Sequence, residues 1–118
     1  MRKRLLSFRY AFRGIGHACS EPNFRIHIAA ALTASFLGVL LDISRPEWCA
    51  VLLCFAAVMS AEAMNSAVEK LTDLVSPGHH DLAGKAKDMA AGAVLISAIL
   101  AAAVGCVVFL PRLGELLR

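Results

Sequence analysis

The sequence predicts an all-α polytopic membrane protein, with an N-terminal amphipathic surface helix followed by three transmembrane helices. Three observations lead there. The 118-residue chain is 58% hydrophobic and 18% charged, with a mean hydropathy of +0.67, far from the balance of a soluble domain. Its apolar residues gather into runs long enough for a hydrocarbon core that takes about 20 helical residues. Short polar stretches holding Pro22, Pro46 and Pro77-Gly78 separate those runs, as helix starts and stops do. A chain this short is one domain, 1–118.

Residues 2–19 are predicted to form the surface helix. Leu5, Phe8, Phe12, Ile15 and Cys19 share one face, with Arg2, Arg9 and Arg13 beside it. That pattern suits a helix lying on an anionic membrane surface. Ser20-Glu21-Pro22 interrupts it, with Ser20 as a candidate cap and Pro22 suited to a first turn.

The first transmembrane helix is expected at about 24–41, with Arg25 and His27 at its entering end. Asp42 to Glu47 reads as a polar hairpin, and Trp48 as an interfacial anchor. The second transmembrane helix is expected over about 48–75, ended by Ser76-Pro77-Gly78. At about 1.5 Å per residue it is roughly 42 Å long, more than a core of about 30 Å requires. The third is expected over about 87–110, after a polar segment from His79 to Asp88, with Pro111 ending it. Its small residues, Ala90, Ala91, Gly92, Ala101, Ala102, Ala103 and Gly105, favour close helix packing.

Charge sets the orientation. Nine of the twelve Lys and Arg residues fall in the N-terminal segment and the 70–88 region, and three in the 42–47 hairpin and the C-terminal tail. The richer side is expected to be cytoplasmic. The net charge of +3 is small, and no nucleic-acid partner is expected. Cys19, Cys49, Cys54 and Cys106 are scattered without metal-ligand or disulfide spacing. The first 25 residues are too basic, and too often interrupted, for a secretory signal.

Chemistry concentrates in Glu62-Ala-Met-Asn-Ser-Ala-Val-Glu-Lys-Leu-Thr-Asp73. At about 100° per residue, Glu62, Asn65, Ser66, Glu69 and Asp73 fall within roughly 100° of arc on one helical face. Acidic groups running out of an apolar helix are costly unless they bind something. Glu62 lies 14 residues beyond Trp48, so about 21 Å deeper along the axis. That depth puts the row at the cytoplasmic boundary, where Glu21 and Asp88 also arrive. Carboxylates there suit a divalent cation such as Mg²⁺ held together with phosphate oxygens. Glu62, nearest the lipid, is placed to take a proton from a lipid hydroxyl. Lys85 and Lys87 suit phosphate charge, and His79 and His80 suit hydrogen bonds to a nucleotide.

Plainer roles exist for several of these groups. Glu21 and Arg25 have i,i+4 spacing for a salt bridge. Glu69 beside Lys70, and Lys87 beside Asp88, read equally as interfacial charges, and Asn65 and Ser66 as interhelical hydrogen-bonding groups. Neither a P-loop nor a GxGxxG motif is present: the Gly84-Lys85 pair is preceded by His79 and followed by Ala86 where a P-loop needs Gly and Ser or Thr. Residues alone thus lead to a membrane-surface enzyme or regulator with an acidic site.

Two longer motifs go further. Glu62-x-x-Asn65-Ser-Ala-Val-Glu69-x-x-x-Asp73, followed by His80-Asp-Leu-Ala-Gly-Lys-Ala-Lys87-Asp88, resembles the composite signature of prokaryotic diacylglycerol kinases, a family that includes undecaprenol kinases. Phe8-x-x-Ala11-x-x-Gly14-Ile15 and Glu21-x-Asn23-Phe24-Arg25-Ile26-His27 are similar to it as well, so the resemblance covers about residues 7 to 105.

The resemblance implies a homotrimeric kinase of the bacterial inner membrane, with its N-terminus and active site cytoplasmic, moving the γ-phosphate of Mg-ATP to diacylglycerol or undecaprenol. It implies Glu62 as catalytic base with Asn65 in the same motif, and Glu21 and Glu69 as Mg²⁺ ligands. Tyr10, Glu21, Glu69, Gly78, His79, His80, Lys87 and Asp88 match nucleotide-binding positions. Asn23, Phe24, Arg25, Ile26 and His27, with Glu62, match the lipid-contacting part. His27 stands where diacylglycerol-specific members tend to carry Glu, and Asn-Phe-Arg-Ile-His is the form typical of undecaprenol kinases. Gly16 replaces a residue that is often basic, and His79 a frequent Tyr. The competing expectation is a non-enzymatic small membrane subunit, whose charged interface and Ala/Gly-rich third helix serve assembly with a larger partner.

Overall fold

Four helices and three short connections make up the computed structural model, which describes residues 1–118. They are α1 (Arg2–Cys19), α2 (Pro22–Leu40), α3 (Arg45–Val75) and α4 (Asp81–Leu116). Three of them, α2, α3 and α4, are long and apolar enough to cross a membrane. The all-helical fold with three spanning helices is the one the sequence predicts.

The boundaries differ where local chemistry overrode periodicity. Helix α3 starts three residues before Trp48 because Ser44 and Glu47 form a capping box. The Glu47 N–H donates to Ser44 Oγ, and the Ser44 N–H donates to Glu47 Oε1. Ser20 does not cap α2: its hydroxyl donates to His17 O, and Glu21 occupies the N-cap position. Helix α4 begins at Asp81 rather than 87, so most of the expected polar segment is its first two turns. His80 caps it by accepting the Leu82 N–H at Nδ1, 3.1 Å away. Pro111 does not end α4, which continues to Leu116. Proline removes one intrahelical bond, and the following Arg112 is held across the hairpin by donating to Leu41 O at 3.3 Å, Asp42 O at 3.2 Å and the Glu47 carboxylate.

Helices α3 and α4 form the principal antiparallel pair, α2 packs along α3, and α2 barely meets α4. The α3 contact stripe follows a seven-residue repeat, Val51, Phe55, Val58, Glu62 and Asn65, and the exposed Glu69 continues its line. Its first part is apolar and packs into a small core of Ile43, Val51 and Val108, flanked by Trp48, Phe55 and Phe109. The rest of the stripe is the acidic row. Trp48, expected as an interfacial anchor, packs its ring over Gly38. A Cβ at Gly38 would lie 2.8 and 2.9 Å from Trp48 ring carbons.

Only 10 of 118 residues are buried, so a single chain encloses little core and leaves its apolar faces to lipid or to other chains. Leu32, Phe36 and Val39 of α2 face outward, as do Leu95, Ile99 and Val107 of α4. At 31 and 36 residues, α3 and α4 are about 46 and 54 Å long and stand well clear of a core of about 30 Å. The excess carries the charged turns around Asp73 and Lys87.

Candidate active site

Helix α3 supplies the centre. Glu62, Asn65 and Ser66 are the buried polar residues of the chain, at 3%, 7% and 9% exposure. They are buried because the α3 contact stripe continues into them. Asn65 Nδ2 donates to Glu69 Oε1 one turn on, at 3.4 Å, while Asn65 Oδ1 is enclosed without a partner. Glu69 itself is exposed.

Helix α2 faces this row with alternate turns. Of the expected lipid-contacting stretch, Phe24 is buried and His27 is partly buried, whereas Asn23, Arg25 and Ile26 are exposed. A helix shows only some of five successive positions to one neighbour. His27 Nε2 lies 3.7 Å from Glu62 Oε2. Arg25 forms no salt bridge with Glu21; its Nε donates to Cys19 O, 2.9 Å away, capping the carbonyl end of α1.

Glu21 turns instead to Lys70 of α3, whose ammonium it binds. Together they line a cleft of about 390 Å³ between α1 and α3, shared with His17, Ala18 and Ser66. Lys70 carries no expected role beyond that of a neighbour to Glu69. No local signal marks a contact between positions 49 residues apart.

A second polar cleft, about 150 Å³, lies at the α3–α4 turn and is lined by Asp73, Gly78, His79, His80 and Lys87. Four expected nucleotide-binding residues thus meet in one place. Lys87 Nζ donates to Asp73 Oδ1. Asp88 is exposed at the neighbouring position. Tyr10 is exposed on α1, with the Arg13 guanidinium 5.8 Å from its ring centre.

Between α2, α3 and α4 runs an apolar groove of about 290 Å³, bounded by Ala31, Val58, Met59, Ala101 and Gly105, with His27 as its polar residue. The groove and the acidic row meet where His27 faces Glu62.

A three-span helical protein with an apolar intramembrane groove opening onto a row of carboxylates is built to work on a membrane lipid at the bilayer boundary. The prokaryotic diacylglycerol kinase model matches residues 9–109. The chain is 42% identical to the undecaprenol kinase of Bacillus subtilis, over 91% of this chain and 88% of that protein. It is 40% identical to a diacylglycerol kinase of Synechocystis over 96% of this chain and 66% of that one. With the diacylglycerol kinase of Escherichia coli K12 it shares 32% over 89% of this chain and 87% of that protein. The chain belongs to the prokaryotic diacylglycerol kinase family, and with it to the membrane lipid kinases.

Proposed function

We propose that this protein transfers the γ-phosphate of ATP to the hydroxyl of a membrane lipid alcohol at the cytoplasmic face of a bacterial inner membrane, acting as a homotrimer. One observation carries the reading: a buried carboxylate, Glu62, sits between an apolar groove and a descending series of polar groups. Glu62 accepts the proton of the lipid hydroxyl. The hydroxyl oxygen then bonds to the γ-phosphorus, the bond to the β,γ-bridging oxygen breaks, and ADP leaves with that oxygen. Phosphoryl transfer asks a protein chiefly for positioning and charge stabilisation, which suits a site made of four helices and no soluble kinase fold.

Undecaprenol and diacylglycerol are the two acceptors to compare. His27 within Asn-Phe-Arg-Ile-His favours undecaprenol, as does the 42% identity to an undecaprenol kinase.

Magnesium would be held by Glu21 and Glu69. No three His, Cys, Asp or Glu side chains of one chain stand together as a ready cage. The residues fit once Glu21 exchanges the Lys70 ammonium for the ion, because Mg²⁺ commonly takes one or two protein carboxylates and completes its shell with phosphate and water. The enclosed, unpartnered Asn65 Oδ1 adds a hard oxygen beside Glu69. When bound, the ion neutralises charge on the transferring phosphate. Lys87 steadies phosphate charge from the α3–α4 cleft. Gly78, His79 and His80 border that cleft, and Tyr10 and Asp88 complete the nucleotide-binding set. Exposed apolar faces on every spanning helix support assembly into a trimer.

A side-by-side assay tests the reading. Purified protein in mixed micelles is given ATP labelled in the γ-phosphate, with undecaprenol or with diacylglycerol. Label should pass into at least one lipid, and faster into undecaprenol. A folded preparation that binds nucleotide and labels neither lipid overturns the assignment. The competing role as a non-enzymatic subunit predicts that same blank result, and gives no reason for the acids to converge on one boundary.

A further inference from the structure

We infer that His27 is the positioning residue for the Glu62 carboxylate, holding it aimed at the lipid hydroxyl; the inference rests on the reading of Glu62 as the base. The inward stripe of α2 runs through Phe24, His27, Ala31, Ala34, Ser35 and Gly38, and His27 is its one titratable member. Its imidazole is partly buried, with 22% of the side chain exposed, against 4% for the Glu62 side chain. Of the other donors along the row, the buried Ser66 hydroxyl one turn on makes no hydrogen bond to the carboxylate, and three more are engaged elsewhere. Arg25 is held by Cys19 O, Asn65 Nδ2 points to Glu69, and Lys70 binds Glu21. Helix α4 brings only alanines and apolar side chains to the groove.

An enclosed carboxylate without a donor is costly and free to rotate. A base must be fixed in direction to work well. At 3.7 Å, His27 Nε2 is within about 0.7 Å of hydrogen-bond length. Engaging one carboxylate oxygen leaves the other for the substrate. Position 27 therefore acts on the rate of transfer through Glu62, a role separate from simple contact with the lipid chain.

The test compares His27→Leu and His27→Asn, which remove or shorten the donor, with His27→Gln, which keeps an N–H at similar reach. Each is assayed as full-length protein in mixed micelles, with unfolding midpoints measured alongside. Leu and Asn should lower kcat at saturating lipid by about tenfold or more, with KM for Mg-ATP and for lipid within about threefold. His27→Gln should recover at least about a third of the rate. In a Glu62→Gln background the same changes should cost less than about twofold, because groups acting as a unit are not additive. A normal kcat in whichever of His27→Leu and His27→Asn folds overturns the inference. So does a loss that lies wholly in lipid KM. If Glu62→Gln alone keeps a near-normal rate, it is the assignment of the base that fails. An inactive Glu62→Gln with normal His27 variants sinks only the positioning role.

Discussion

Asn65 gives its amide N–H to Glu69 and keeps its own carbonyl oxygen enclosed without a partner. Both features belong to one side chain at 7% exposure. Burying an unpaired amide oxygen costs about 1–3 kcal/mol, which makes Asn65 a poor choice for stability alone. Asn65→Leu should leave the unfolding midpoint in micelles unchanged or raised, and lower kcat by about tenfold or more. A variant that loses stability but keeps its rate per folded molecule would make Asn65 a structural residue.

At Gly38 the Trp48 ring of α3 packs directly onto the α2 backbone. A methyl group there would meet the Trp48 ring at 2.8 Å and Ile43 Cδ1 at 3.1 Å. Alanine gains up to about 1 kcal/mol of helix propensity over glycine. Overpacking costs about 1–3 kcal/mol and should win. Gly38→Ala is expected to unfold at lower denaturant concentration, and a raised midpoint would mean that the Trp48 ring can give way.

Arg112 closes the opposite end of the bundle. Its guanidinium donates to Leu41 O, Asp42 O and Glu47, far along α3 from Glu62. Replacing it with Gln should lower thermal stability measurably and leave kcat per folded molecule near normal. A large loss in kcat at unchanged stability would show that the far hairpin communicates with the site.

Much of this was legible in the sequence. Three spanning helices follow from hydropathy, and the polar face from Glu62 to Asp73 follows from helical period. The seven-residue stripe seen in the structure tells why that face is buried: Val51, Phe55 and Val58 set a contact line that Glu62 and Asn65 inherit. The start of α3 was expected at 48 and lies at Arg45, although Ser44-x-x-Glu47 is a capping box written in four residues. Pairings across the chain were not readable. Glu21 chose Lys70 over Arg25, four residues away, because Arg25 is used at the end of α1. Asp73 met Lys87 only because the 76–80 turn folds α4 back along α3. His27 could be matched to a lipid-contacting position, but its approach to Glu62 depends on how α2 packs.

Divalent metal gives another prediction. Chelation should stop phosphate transfer, and added Mg²⁺ should restore it. Glu21→Gln and Glu69→Gln should each raise the Mg²⁺ needed for half-maximal rate by about tenfold. Titration of Mn²⁺ binding without lipid provides a second readout. Undiminished transfer in excess chelator would remove the metal from the account.

The central claim is that the buried carboxylate at the head of the polar row is the base for phosphate transfer to a lipid hydroxyl. The most direct measurement compares wild type with Glu62→Gln for γ-phosphate transfer to undecaprenol, alongside nucleotide binding. Replacing a general base should cost about 10²–10⁴-fold in kcat with nucleotide affinity nearly unchanged. A Glu62→Gln protein that phosphorylates lipid within a few-fold of the wild-type rate would contradict it.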